Sequence, residues 1–448
     1  MRIALIAMNA SLRKGGESAR PIHYARGLLA LGHDVSLYTH ARCRDEIQTD
    51  HPDLADRTRF VDDTLIQSGA WRLGHRLPER AREFTAGQIV SLCTQRSIMK
   101  AIRALPESEQ PEVIHQVTPI SPKAPSCVRH TGPVVIGPLN GDIDYPKAFA
   151  RREPWLDALL IRIGRPLATL ANRVFSGKAH ADLLLVSNSR TQRALPVRNR
   201  GQIHELTANA VDLSRWTRTV EHGPRERVRL VFLGRLVRFK GLDLLLEAFA
   251  ASDELQSKAE LVIIGGGPQR QPLEHQAKRL GIADRVRMMG WVDHETAIET
   301  MLRCDAMVFP SLQDPGGAAV MEGCAMGLPV ICADWAGPAE YLPQGAGLLV
   351  PIDSEEAYFE GLTEHMLDLT RSPARRAEFG AAARKAAFAE FGWPNRVAEL
   401  DRCYRELVAH QPTHALHHHA HPPHAPHAQP APAPQAGSVP DRPFKSAS

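Results

Sequence analysis

Val228-Arg-Leu-Val-Phe-Leu-Gly-Arg-Leu-Val-Arg-Phe-Lys-Gly-Leu-Asp-Leu-Leu-Leu-Glu-Ala-Phe249 is the first of three stretches that decide the fold of this 448-residue chain. The second is Leu261-Val-Ile-Ile-Gly-Gly-Gly-Pro268. The third is Ala306-Met-Val-Phe-Pro-Ser-Leu-Gln-Asp-Pro-Gly-Gly-Ala-Ala-Val-Met-Glu-Gly-Cys-Ala-Met-Gly-Leu-Pro-Val-Ile-Cys332. Each is a short apolar run that breaks into glycines and, in the first and third, continues into a helical pattern. Buried strands followed by tight turns and helices predict a doubly wound α/β domain with a parallel sheet. Its ligands belong beyond the carboxyl ends of the strands.

The turns carry the chemistry. In the first, Gly234 and Gly241 bracket Arg235 and Lys240, at the point where a strand hands over to a helix. A guanidinium fork, an ammonium and free helix-start amides suit a diphosphate. A surface loop with ordinary basic residues would read the same way. The third turn adds two acids, Asp314 and Glu322, with Gly316 and Gly317 between them. Two carboxylates separated by glycines that admit a ligand to the backbone can hold the vicinal hydroxyls of a sugar or ribose.

Taken in register, Gly234-Arg235…Lys240-Gly241, Ile264-Gly-Gly-Gly-Pro268, Val286-Arg-Met-Met-Gly-Trp-Val292 and Phe309-Pro-Ser…Asp314…Glu322-Gly-Cys-Ala-Met-Gly-Leu-Pro-Val-Ile331 resemble the donor half of GT-B retaining glycosyltransferases of family 4. The resemblance covers most of 228–345. It implies two Rossmann-like domains facing a cleft, with a terminal helix returning to the first domain. It further implies that Arg235 and Lys240 hold a donor diphosphate, that Glu322 holds the nucleotide ribose, and that Asp314 meets the transferred sugar. Gly234, Gly265, Gly316 and Gly317 would let backbone approach the donor, and Gly290, Trp291 and Val292 would face the base. The chain departs from the family pattern in having Asp314-Pro-Gly-Gly-Ala318 where glutamate and Gly-Phe-Gly are usual.

Outward from this stretch, the chain opens on a strand, Ile3–Met8, and a turn holding Gly15, Gly16 and Glu17, followed by a helix and a second strand, Asp34–Thr39. The glycine pair resembles the family's first loop, close to donor phosphate and acceptor. Residues 43–110 read as arginine-rich helices. His115 ends a further strand and resembles a strand-end histidine at the cleft, a catalytic candidate. Asn140 and Asp142, in the glycine-rich exit of Val134–Gly137, are placed either to reach an acceptor hydroxyl or to shape the turn. Residues 151–178 form a basic helical stretch with apolar residues. His204–Trp216 resembles the family's turn before the second domain, with Ala210 in place of glycine.

The expected organisation is an N-terminal acceptor-side domain over 1–216, a linker over 217–227, a nucleotide-sugar domain over 228–389, a terminal helix over 390–410, and a disordered His/Pro/Ala-rich tail over 411–448. The tail's cluster His417, His418 and His419 is unspecific for metal, and no catalytic metal is expected.

Charge is uneven. Residues 1–219 carry 31 Lys/Arg against 21 Asp/Glu, and residues 220–448 carry 23 against 29. The basic first half therefore suits an anionic partner such as a membrane surface bearing a lipid-linked acceptor. Without a binding motif, nucleic acid is not expected. Seven scattered cysteines and no C-x-x-C pair point to reduced thiols and a cytoplasmic protein, peripheral at most at the inner face of the membrane. The whole reads as an enzyme that moves a hexosyl group, with retention, from a nucleoside-diphosphate sugar to a glycan or lipid-linked hydroxyl, the donor being a substrate and no cofactor being needed. Two alternatives are a catalytically silent sugar-nucleotide scaffold and a dinucleotide-dependent oxidoreductase. For the latter, Gly265-Gly-Gly-Pro-Gln-Arg270 lacks the G-x-G-x-x-G spacing.

Overall fold

The computed structural model describes residues 1–14, 16–76, 79–221, 223 and 226–410, with the side chains of 79, 80, 83 and 84 outside that set. Two all-parallel sheets organise these residues. The first contains β1 (Arg2–Ile6), β2 (Asp34–His40), β3 (Thr58–Val61), β4 (Val113–Gln116), β5 (Val134–Leu139), β6 (Leu183–Val186) and β7 (Gln202–Glu205), in the order β3-β2-β1-β4-β5-β6-β7. The second contains β8 (Val228–Leu233), β9 (Ala259–Ile264), β10 (Val286–Gly290), β11 (Ala306–Phe309), β12 (Val330–Ala333) and β13 (Gly347–Val350), in the order β10-β9-β8-β11-β12-β13. In each sheet the strand order reverses beside the first strand. The carboxyl ends of β1 and β4, and of β8 and β11, are therefore the places where loops diverge and a crevice opens.

Central strands are mostly apolar because helices cover both faces; every residue of β4, β5, β6, β11 and β12 is buried, including His115 and Gln116 at the end of β4. Of the two outer strands of the first sheet, Gln202-Ile-His-Glu205 is largely exposed, while Thr58-Arg-Phe-Val61 is only partly buried, with Arg59 in solvent. Both fall in stretches read from sequence as helix or turn. An edge strand need bury only part of its surface, so no apolar run marked them.

Two connections bind the halves. The helix Trp393–Ala409 sends Val397, Leu400, Cys403 and Tyr404 into the core of the first half, beside Ile3, Leu5 and Leu28. It lies so close to the helix Arg20–Ala30 that a Cβ on Gly27 would collide with Val397. In the opposite direction, Tyr145 and Phe149, from the β5–β6 connection, join the core of the second half, where Phe149 meets the Tyr358 ring edge-on at 5.2 Å. No helix among the described residues is long and apolar enough to cross a membrane.

Candidate functional site

Three strand ends interlock to form the floor of the site. The Gly234 amide donates to Ile264 O at 3.0 Å, the Gly265 amide to Gly290 O at 2.9 Å, and the Leu236 amide to Gly266 O at 2.9 Å. Gly265 has φ +134°, and any side chain there would strike the Gly234 carbonyl. This fit explains why a glycine run cuts off β9. From β8 the chain runs through exposed Arg235 into the short turn Arg238–Lys240 and the helix Leu242–Ala250.

Lys240 and Asp314 meet directly as an ion pair, each side chain 13% exposed. The ammonium also lies 4.6 Å from the centre of the Phe309 ring. Asp314 Oδ1 accepts the amides of Gly316 (2.8 Å) and Gly317 (3.2 Å). Burial by itself would raise the Asp314 carboxyl, but the charge and hydrogen bond of Lys240, with the two amides, outweigh it and hold the group below its ordinary value. Gly317, at φ +53° and wedged against Tyr341 and Gly337, starts the helix Ala318–Met326. Glu322 on that helix lines a cavity of about 160 Å³ shared with Gly16, Asn209, Asp212, His294 and Trp393. Burial pushes its carboxyl up to about 7.

The first half closes over this loop. Asn209 Nδ2 donates to Gly316 O at 2.5 Å while its Oδ1 accepts from Arg20 Nη2 at 3.3 Å. Asn140 Nδ2 donates to Pro315 O at 2.9 Å. Arg20 is 1% exposed, and its Nη1 has no hydrogen-bond partner among the described residues. The Oδ1 of Asn140 and the hydroxyl of Tyr341 are likewise buried without partners there. Sequence reasoning passed over Arg20, Asn209 and Tyr341. Only the His204–Trp216 turn hinted at Asn209, and nothing local distinguishes Arg20 from the other arginines of the first half.

The remaining candidates are dispersed. Glu17 Oε1 accepts the Ile120 amide at 3.0 Å. Asp142, at φ +57°, is paired with Lys123 (3.5 Å) and Arg165 (3.4 Å). Trp291 is 81% exposed beside β10, and Val292 packs against the second core. Gly15 and the histidine tail lie outside the described residues. His115 is not where it was expected. It is completely buried, with Nε2 2.7 Å from Gly137 O and Nδ1 2.6 Å from the Tyr404 hydroxyl, and burial lowers it to about 4. Both ring nitrogens are engaged between sheet and terminal helix, so the residue braces the core and does not face the cleft.

Residues 216–386, which contain this loop system, match the family described as Glycosyl transferases group 1. The chain is 29% identical over 206 residues to a GDP-mannose-dependent monoacylated alpha-(1-6)-phosphatidylinositol monomannoside mannosyltransferase of Corynebacterium glutamicum, covering 42% of this chain and 52% of the relative. It is 28% identical over 188 residues to a glycogen synthase of Mycobacterium tuberculosis, covering 41% and 44%. The chain thus spans about half the length of these curated relatives. The fold is similar to that of sucrose-phosphate synthase from Thermosynechococcus elongatus (TM-score 0.63, 19% identity, 91% of this chain and 99% of that one). It is also similar to that of Anabaena HepE solved with UDP and glucose (TM-score 0.60, 15% identity, 91% and 100%). The architecture is GT-B: two Rossmann-like domains of seven and six parallel strands, with a terminal helix returned to the first.

Proposed function

We propose that this protein is a retaining glycosyltransferase that moves a hexosyl group from a nucleoside-diphosphate sugar to an acceptor hydroxyl. The observation that carries the proposal is the meeting of Lys240 with Asp314 at the carboxyl edge of the second sheet, under a roof made by Asn140 and Asn209 of the first half. A cation and an acid brought to one glycine-rich turn fit an activated sugar: diphosphate on the cation, hydroxyls on the acid. Similar proteins, one a GDP-mannose-dependent mannosyltransferase and another solved with UDP and glucose, support a nucleotide-sugar donor.

In this reading donor phosphate displaces Asp314 from Lys240, and the freed carboxylate turns to the sugar hydroxyls. Arg235 adds a second cation at the mouth of the turn, and Glu322 accepts from the ribose. The bond between the anomeric carbon and the phosphate oxygen breaks, and its electron pair leaves with the diphosphate. The acceptor oxygen bonds to the same face of that carbon, and its proton passes to the departing phosphate oxygen. Lys240 and Arg235 stabilise the developing charge, so the proposal needs no divalent metal. Closure of the two halves would exclude water and suppress hydrolysis of the donor. The basic first half would sit at an anionic membrane surface on the cytoplasmic side.

One observation favours a second reading. Asp314 is shorter than the usual glutamate and is already committed to Lys240, as a silent sugar-nucleotide scaffold could tolerate. Nucleotide release from UDP-, GDP- and ADP-sugars, measured with and without acceptor, separates the two: acceptor-dependent release is expected, and binding without turnover would establish the scaffold. A thermal shift with nicotinamide cofactors would revive the oxidoreductase alternative.

A further inference from the structure

At the carboxyl ends of β2 and β3 lies a concavity of about 380 Å³, bordered by His40 and Arg42, by Asp63, and by Ser68, Trp71 and Arg72 of the helix Leu65–Gly74. None of these residues lines the cavity around Glu322. The volume is that of a small-molecule site. Its helical wall is fixed by a capping box: the Gln67 amide donates to Thr64 Oγ1 at 3.3 Å, and the Thr64 amide donates to Gln67 Oε1 at 2.9 Å. Gln67 Nε2 runs inward to Thr94 Oγ1 at 2.9 Å. Positions 68, 71 and 72 are three and four residues apart on this helix, so one face carries all three to the pocket.

The strand ends supply the polar groups. His40 is 4% exposed, and its Nδ1 accepts the Arg42 amide at 3.1 Å. The proton is therefore on Nε2, which donates to Asp63 Oδ1 at 3.0 Å. Burial lowers the imidazole, in keeping with this neutral form. Asp63 is held in place while half exposed, and its Oδ2 makes no hydrogen bond among the described residues. The next acid, Asp62, lies 3.9 Å from Arg44. Arg42 and Arg72 are thus left with no ion pair among the described residues. Trp71 is 45% exposed; the Arg82 guanidinium, 5.8 Å from its ring centre, and the His75 ring, edge-on at 5.1 Å, steady the indole.

We propose that this pocket is a saccharide-binding site outside the transfer cleft, selective for a sugar residue that carries a negative charge, as a carboxylate or a phosphate. The C–H face of the ring meets the electron-rich indole, hydroxyls donate to Asp63 Oδ2 and bond Ser68, and the charge is met by the guanidinium forks of Arg42 and Arg72. A neutral sugar would leave both guanidiniums unused. A bare anion would leave the indole unused and be repelled by Asp63. The assignment is independent of the glycosyl-transfer reading, because the pocket shares no residue with the Lys240–Asp314 turn or the Glu322 cavity.

The full chain is titrated by calorimetry, without donor, with glucuronate, galacturonate and glucose 6-phosphate. Glucose and galactose serve as neutral counterparts, acetate and inorganic phosphate as bare anions. Saturable binding of at least one acidic sugar is expected, at least tenfold tighter than its neutral counterpart and than the bare anion. Arg72→Met and Trp71→Leu, both at exposed positions, should each weaken it tenfold or more, and Arg42→Met severalfold. Saturating UDP or GDP should leave the affinity unchanged. Absence of binding by all three acidic sugars overturns the inference, as does equal affinity for a neutral sugar or a bare anion, or parent-like affinity in Arg72→Met and Trp71→Leu. Competition by either nucleotide also overturns it, since the sugar would then lie in the cleft. Should Trp71→Leu not fold, parent-like affinity of Arg72→Met decides alone. Donor turnover is followed separately: acidic-sugar binding without any turnover removes the transfer reading and keeps the pocket, while turnover with no such binding does the reverse.

Discussion

Lys240 and Asp314 illustrate how a single pair joins stability to chemistry. Lys240→Ala is expected to lower kcat by about 100-fold or more through loss of charge at the leaving group. It also strands a mostly buried carboxylate, at roughly 2–3 kcal/mol in a urea titration, toward the low side for an uncompensated charge. The double variant Lys240→Met/Asp314→Asn should recover most of that stability and none of the turnover. Full recovery of both would separate the pair from catalysis. Glu322 supplies a pH signature. Its carboxyl rises from 4.5 to about 7 on folding, so the folded chain binds the extra proton and stability falls as pH climbs from about 4.5 to 7, then levels. Glu322→Gln should abolish that decline, so parent and variant melts taken at pH 5 and pH 8 should diverge at the higher pH. If the carboxylate accepts ribose hydroxyls, nucleotide affinity should strengthen over the same window. Of the residues around this loop, those on Gly-rich strand ends were readable because strand, turn and charge are adjacent in the chain. Arg20 and Tyr341 were not, since their place beside the loop depends on other elements.

At the scale of elements, the buried strands and both edges of the second sheet were legible, and the outer strands of the first sheet were not. β11, Ala306-Met-Val-Phe309, is apolar because helices cover both faces, whereas β3 and β7 keep Arg59 and Glu205 in solvent and resemble any polar loop. His115 shows the converse error. An apolar strand ending in histidine reads as a cleft residue, yet the terminal helix, 289 positions away, places the Tyr404 hydroxyl on its ring. Tyr404→Phe should cost about 1–3 kcal/mol by leaving Nδ1 unpartnered, without altering the KM for donor. The contact between the helices Arg20–Ala30 and Trp393–Ala409 needs the missing side chain of Gly27. Gly27→Val should destabilise by about 1–3 kcal/mol through overpacking against Val397, visible as a lower urea midpoint. An unchanged midpoint would mean that the terminal helix yields without cost.

At the scale of the molecule, polar bridges between the two halves add to their apolar contacts; among them are Asn140 to Pro315, Asn209 to Gly316, Gln313 to Ile143, Arg152 to Asp243, Trp335 to Asp144, and Arg190 with Asn188 on Glu340. Asn209→Ala removes the link from Arg20 to the Asp314–Gly317 turn and should raise KM for donor severalfold, while the buried Arg20 left short of a partner costs about 1–3 kcal/mol in a urea titration; equal donor KM in parent and variant would refute its part in closure. The sequence by itself determined that there are two parallel α/β sheets and that charge collects in the turns of the second, because strand burial, glycine turns and helix starts are local features of the chain. Only the tertiary structure decided which groups meet. The embrace of Lys240 by Asp314, the enclosure of His115, and the bonds that Asn140 and Asn209 make to the Pro315–Gly316 turn all depend on contacts between residues dozens to hundreds of positions apart, and no local pattern encodes those.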